Sequence, residues 1–317
     1  MKDQFMTTNS LKIVIFIFIL VHFFQKNLSS FENKIILKID NEIITSIDLK
    51  NEINYLTALN PGLKNLKTLE IEEISKKSLV REKIKKVEIS KYFKDSKLPE
   101  KILERFLENI YSRIGIKNLE EFKKYLIKNN IEYVNVLDKI ETEALWNELI
   151  ISKFSKKVKI NKDKLRREII SNNTSDKKSY LMSEIVFEVS TNKEIDNKYK
   201  KIINTINVDG FNNAALKYSI SETAKIGGKL DWINENSLNK KIRDKLKTLE
   251  INEYTKPIQI PGGFIILKIN DIKISKSDEN IENELKKLIN QSNNRQLNQY
   301  SKIYFNKIKA NVIINEI

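Results

Sequence analysis

Between residues 31 and 171 the apolar positions recur at three- and four-residue spacing, the period of a helix with one buried face. That pattern predicts helices over about 68–93, 99–113, 118–129, 131–156 and 161–171. Their expected core stripes are Ile74, Leu79, Ile84 and Val87, then Ile102, Phe106, Leu107 and Ile110, then Val134, Leu137, Leu145, Leu149 and Ile150. Ahead of them, "KIILKIDNEIITSIDL" (34–49) alternates as a short strand, turns at Asp40-Asn41 and resumes as a strand at 42–44. Thr45 and Asp48 then have the spacing of a capping box, in which each side chain meets the other's backbone N–H. Leu49, Ile53, Leu56 and Leu59 continue at helical spacing until Asn60-Pro61-Gly62 stops the element.

The pattern changes after the polar run "SNNTSDKKS" (171–179). "YLMSEIVFEV" reads as a strand of aromatic and β-branched residues. Helical spacing follows over about 193–207 and 211–218, then "YSISETAKIGGKLDWI" (218–233), and a helix near 238–249. "KPIQIPGGFIILKIND" closes the region as a hairpin turning at Pro261-Gly262-Gly263. A long helix is expected over about 278–310, and "NVIINEI" ends the chain as a strand-like tail. The fold class is therefore α+β: a helical module over 31–175, an inserted α+β domain over 176–274, and a C-terminal helix and strand over 275–317 that complete the module. The tail's apolar residues are expected to bury against the first strands.

Composition removes much chemistry. Cysteine is absent, which excludes disulfides, thiolate catalysis and a lipid-modified cysteine anchor. The single histidine, His22, lies near the N-terminus, so imidazole catalysis and histidine-ligated metals have no material elsewhere. No cofactor is expected. The net charge of +15 comes from lysines spread through nearly every helix among Glu and Asp. They read as solvated helix faces rather than a nucleic-acid surface.

Residues 1–30 read as a signal peptide: Lys2 and Lys12 precede the apolar run "IVIFIFILVHFF" (13–24). A dozen residues suits a signal core and falls short of the roughly 20 a spanning helix needs. No A-x-A cleavage pattern follows, and retention as an inner-membrane anchor is the alternative. Cleavage would remove His22 and leave a charge near +13.

Ordered landmarks across 180–273 resemble the parvulin-type peptidyl-prolyl isomerases, and more narrowly SurA-like periplasmic folding factors. They are "SEIVF", "FNNAALKYSISETAKIGGKLDWI" and the "EYTKPIQIPGGFIILKI" hairpin. A lone Gly-Gly would mean little; the ordered set over about 95 residues is specific. The N-terminal part and the C-terminal helix and strand match SurA-like organisation in order only. The resemblance implies a site with two histidines and a Cys or Asp, and these positions fall on Glu184, Ile265 and Ser221. All three depart from the family pattern. It also implies a proline pocket: Leu230 keeps the family leucine, Leu238 and Ile242 replace Met and Phe, Trp232 stands beside the groove, and Phe264 is expected on the same wall. The family's Gly-Gly-Asp-Leu-Gly-Trp appears as Gly-Gly-Lys-Leu-Asp-Trp, with Lys229 and Asp231 substituted.

Prolyl isomerisation requires no nucleophile. The X-Pro bond must cross a rotation barrier near 18–20 kcal/mol, lowered by holding the twisted amide better than either planar form. The implied function is a periplasmic chaperone for unfolded or nascent exported polypeptides, outer-membrane proteins among them. It would hold clients in a cleft between module and inserted domain, without ATP, and have weak or lost isomerase activity. An active isomerase with a histidine-free centre is a second reading, and a membrane-tethered assembly scaffold a third. Nucleic acid is not an expected partner, and membrane contact is expected only as transient proximity.

Overall fold

The computed structural model describes residues 33–40, 42–93, 98–171, 177–275 and 281–317. The expected signal peptide, His22, Asn41 of the first turn and the centre of the expected domain boundary lie outside the described residues. Residues 35–317 form one compact unit.

The chain enters through β1 (Ile35–Ile39) and β2 (Glu42–Thr45), antiparallel with Lys38 opposite Ile43. Thr45 caps α1 (Ser46–Leu59): its hydroxyl accepts from the Asp48 N–H at 3.3 Å, and the Asp48 carboxylate accepts from the Thr45 N–H at 2.8 Å. The predicted capping box is thus formed. Pro61, at the start of a 3-10 turn, follows Asn60 where the helix stops. Helices α2 (Thr68–Ser90), α3 (Glu100–Arg113), α4 (Leu119–Lys128), α5 (Tyr133–Phe154) and α6 (Lys162–Ser171) follow.

The expected phase of α5 is wrong in its first turn. Val134 is 63% exposed, and Val136 and Ile140 bury instead against Ala58, Leu107, Phe122 and Leu126. Further along, Trp146, Leu149 and Ile150 join the main helical core with Leu37, Ile39, Ile44, Leu79 and Ile84. Leu297 and Phe305, from the C-terminal helix α9 (Ile281–Lys309), belong to the same core. The C-terminus therefore completes the N-terminal module. The tail strand β7 (Ile314–Glu316) pairs antiparallel with β1 in the sheet order β2-β1-β7. The tail's expected burial holds only for Val312, which packs partly buried on the helical core, while Ile313, Ile314 and Ile317 are 66%, 37% and 74% exposed.

The inserted region is a four-stranded antiparallel sheet ordered β4-β3-β6-β5. Its strands are β3 (Lys177–Phe187), β4 (Ile233–Asn234), β5 (Ile258–Ile260) and β6 (Gly263–Ser275). Side chains alternate along a strand, so β3 builds two cores. Ile185 and Phe187 face α7 (Ile195–Tyr218), which breaks at Gly210 (φ +85°) between the two helical stretches predicted there. Tyr180, Met182 and Val186 face the other way, onto α8 (Lys240–Leu246). No described helix is long and apolar enough to cross a membrane.

Candidate functional site

The Gly227-Gly228 turn positions the site. Both glycines have positive φ (69° and 76°), a conformation that costs other residues. A Cβ on Gly228 would stand 2.2 Å from the Glu184 carbonyl oxygen and 3.0 Å from Ala215 Cβ. The close approach lets the Glu184 N–H donate to the Gly228 carbonyl at 2.7 Å, and the Leu230 N–H donate to the Met182 carbonyl at 2.9 Å. The turn thus lays residues 228–230 along β3 and sets Leu230 on its α8-facing side. Asp231 has no positive φ and is exposed, so it needs no buried partner.

Glu184 shares the face of Met182 and Val186 and is 9% exposed. Its Oε1 accepts from the Thr223 hydroxyl at 2.9 Å. Thr223 Oγ1 lies 2.5 Å from Ser221 Oγ, and Ser219 Oγ donates to Ser221 Oγ at 3.2 Å. Because Thr223's only hydroxyl proton goes to Glu184, Ser221 must donate to Thr223. Every hydroxyl in the chain then points toward the carboxylate, the alignment that strengthens each bond in turn. The Val186 N–H anchors the far end by donating to Ser219 Oγ at 3.0 Å. Structure therefore joins Glu184 and Ser221 through Thr223, a residue that no family position marks. Hydroxyls at every second position (219, 221, 223) were the available signal.

The aliphatic wall lies on the same sheet face. Leu238, Ile242 and Ile265, each 8% exposed, pack with Met182, Val186 and Leu267, and Leu230 packs against them half-buried. Phe264 does not join this wall. Adjacent β-residues point to opposite faces, so Phe264 turns to the α7 side and stacks on Phe187 with centroids 5.8 Å apart. Trp232 is 40% exposed and belongs to neither core.

Side chains of the helical module reach the site directly. Arg81 of α2 donates to the Ser221 carbonyl at 2.9 Å. Lys85, fully buried, holds Glu143 of α5 and Glu222 of the site loop, each at 2.7 Å, and Lys225 pairs with Glu143. Burial by itself would raise the Glu143 pKa; the Lys225 and Lys85 charges outweigh it and hold the carboxyl well below its usual range. Burial acts to lower the Lys225 pKa, and Glu143 and Glu222 reverse that, raising it. Lys85 departs from the expected solvated helix faces, on which most described helix lysines do lie. Where an open cleft was expected between module and inserted domain, loop 221–226 is a bonded seam. The C-terminal helix borders the same sheet face: Arg295 donates to the Ser237 carbonyl at 2.5 Å, Lys302 approaches Glu184, and Asn306 bonds Glu188.

Among the described residues no group of His, Cys, Asp or Glu side chains is arranged to hold a metal ion. The arrangement offers an apolar wall beside a hydrogen-bonded carboxylate, suited to gripping a proline ring and acting on its amide without covalent chemistry.

Comparison with known proteins agrees with this geometry. Residues 183–271 match the rotamase family, described as the PPIC-type PPIase domain. The chain is 21% identical over 178 residues to the chaperone SurA of Pseudomonas putida, covering 53% of this chain and 42% of that protein. It is 22% identical over 278 residues to the chaperone SurA of Hydrogenovibrio crunogenus, covering 83% and 60%. A shorter stretch of 66 residues is 33% identical to the periplasmic chaperone PpiD of Haemophilus influenzae, covering 21% and 10%. The chain spans less than two thirds of the length of each of these relatives.

Proposed function

We propose that this protein is a periplasmic folding factor, a reading supported by the match of residues 183–271 to the PPIC-type rotamase family and by the chain's similarity to SurA chaperones. It binds unfolded exported polypeptides, outer-membrane proteins among them, without ATP. The observation that carries this reading is the apolar edge of the parvulin-type region. There the aliphatic cluster ends at half-buried Leu230, and the large apolar surface of Trp232 stands 40% exposed beside it. An extended client can lay apolar side chains there and pair its backbone with the short edge strands β4 and β5. The excess of lysine favours acidic clients and faster encounter. The test is suppression of aggregation of a urea-diluted outer-membrane protein by the mature chain. Trp232→Ala should weaken suppression several-fold, and no suppression by the parent protein would overturn the reading.

The hydroxyl chain ending on Glu184, beside the aliphatic wall, favours a second activity: slow prolyl isomerisation from a histidine-free centre. NMR exchange spectroscopy on an Ala-Pro peptide measures it. Leu238→Ala combined with Ile242→Ala should remove most of the rate, since the proline ring would lose its wall.

A further inference from the structure

Lys302 lies outside the segment that matches the rotamase family, on helix α9, yet its ammonium enters the site. Its side chain is 13% exposed, and Nζ stands 3.9 Å from Glu184 Oε1, too far for a direct hydrogen bond. Among the described residues nothing accepts a hydrogen bond from it. The ammonium is not shut off from solvent, so its three donors meet water that a ligand can displace. Its position is firmly held. The neighbouring Ser301 accepts from Trp146 Nε1 at 2.9 Å inside the helical core, and Phe305, one turn later, is buried in the same core.

We propose that Lys302 is a catalytic residue for prolyl isomerisation, donating a hydrogen bond to the prolyl nitrogen as the amide twists. This rests on the isomerase reading above. In the planar amide the nitrogen lone pair is delocalised into the carbonyl, which leaves nitrogen a poor acceptor and oxygen electron-rich. Rotation uncouples the two: the lone pair returns to a pyramidal nitrogen, and the oxygen loses charge. A donor aimed at nitrogen thus favours the twisted form over either planar one. A carboxylate beside the oxygen acts in the same direction by opposing the charge-separated planar form. Lys302 and Glu184 are such a pair, on the sheet face that carries Leu238, Ile242 and Ile265. No covalent bond forms or breaks and no proton changes owner.

The experiment uses the full mature chain and NMR exchange on an Ala-Pro tetrapeptide. Lys302→Met is expected to lower the exchange rate at least tenfold, chiefly in kcat, with the thermal midpoint nearly unchanged. Lys302→Arg should retain much of the rate. Ethylammonium chloride should restore part of the rate to Lys302→Ala in proportion to its concentration, with matched sodium chloride as control; a purely structural lysine would show no such rescue. An active parent protein with an equally active Lys302→Met variant, or a loss that ethylammonium does not repair, would overturn the role of Lys302. A parent protein that does not accelerate exchange at all would overturn the isomerase reading itself, and this role with it.

Discussion

At Gly228 the backbone of the site turn touches the backbone of β3, and the absence of one carbon atom decides the geometry. Replacing it with alanine would place Cβ 2.2 Å from a carbonyl oxygen at φ +76°, so strand and turn must separate. The left-handed conformation costs about 1–2 kcal/mol for a residue with a side chain, and moving packed backbone adds to it. Gly228→Ala should therefore destabilise the protein by about 2–4 kcal/mol in urea titration. It should also lower the proposed isomerase and aggregation-suppression activities together, because Leu230 and Glu184 both hang on that contact. The glycine pair was legible in the sequence; the reason for it was not, since its contact, Glu184, lies 44 residues earlier. The same limit hid the centre's polar partners. Ser221 and Glu184 could be aligned to family positions, but Lys302 and Arg81 come from other parts of the chain and no local pattern marks them. The side on which Phe264 lies is set by its pairing with β3, opposite Phe187, which spacing within the hairpin does not reveal.

Among the elements, α9 ties the C-terminal part of the chain into the helical core, and its docking depends on α5. Trp146 is fully buried, donates to Ser301, and packs edge-on against Phe305 at 6.2 Å between centroids. Trp146→Phe keeps an aromatic ring but removes the donor, leaving the Ser301 hydroxyl one partner fewer in a dry core. A cost of about 1–3 kcal/mol is expected. Because α9 is held at this point, faster hydrogen exchange should appear first in its amides around residues 297–305, ahead of the β3–β6 sheet. Helix positions themselves were readable within a few residues, because caps and stop signals such as the Thr45–Asp48 box act locally. The phase of α5 was not readable. Val134 satisfies the apolar spacing, but α1, α3 and α4 present their cores to Val136 and Ile140. The tail strand was anticipated as an element, while its exposure follows from lying at the sheet edge, with Ile313 and Ile317 outside.

Across the whole molecule, the helical module and the parvulin-type region are joined by charges, so their union should respond to acid. Glu143 has a pKa depressed in the folded state by Lys225 and Lys85, against the opposing effect of burial. A depressed carboxyl stabilises the fold fully above its ordinary value near 4.5, and that stabilisation is lost as pH falls toward the folded value. Lys225 is shifted upward, so its contribution persists at all pH values below 10.5 and adds nothing to the acid transition. Glu82, at a second cluster inside the helical module, follows the same sign. Burial opposes its ionisation, yet Lys139 and Lys86 bring its pKa down to about 2. Through the usual 1.36 kcal/mol per pH unit, that corresponds to about 3 kcal/mol lost between pH 4.5 and 2. The two sites can be separated because the chain has only two tryptophans. In a Trp232→Phe background, emission reports Trp146 alone, whose ring lies 5.4 Å from the Lys85 ammonium. Acid titration should shift that emission below pH 4.5. Glu143→Gln should remove part of the shift, because glutamine cannot take up the proton that weakens the seam. It should also lower stability at pH 7 by about 1–3 kcal/mol, since the buried Lys85 ammonium would lose one of its two carboxylates while keeping Glu222. Glu82→Gln should flatten the acid dependence of global unfolding and leave the seam signal in place. If both variants titrate like the parent protein, the acid response belongs to other groups, and the seam is held by packing rather than by these ions.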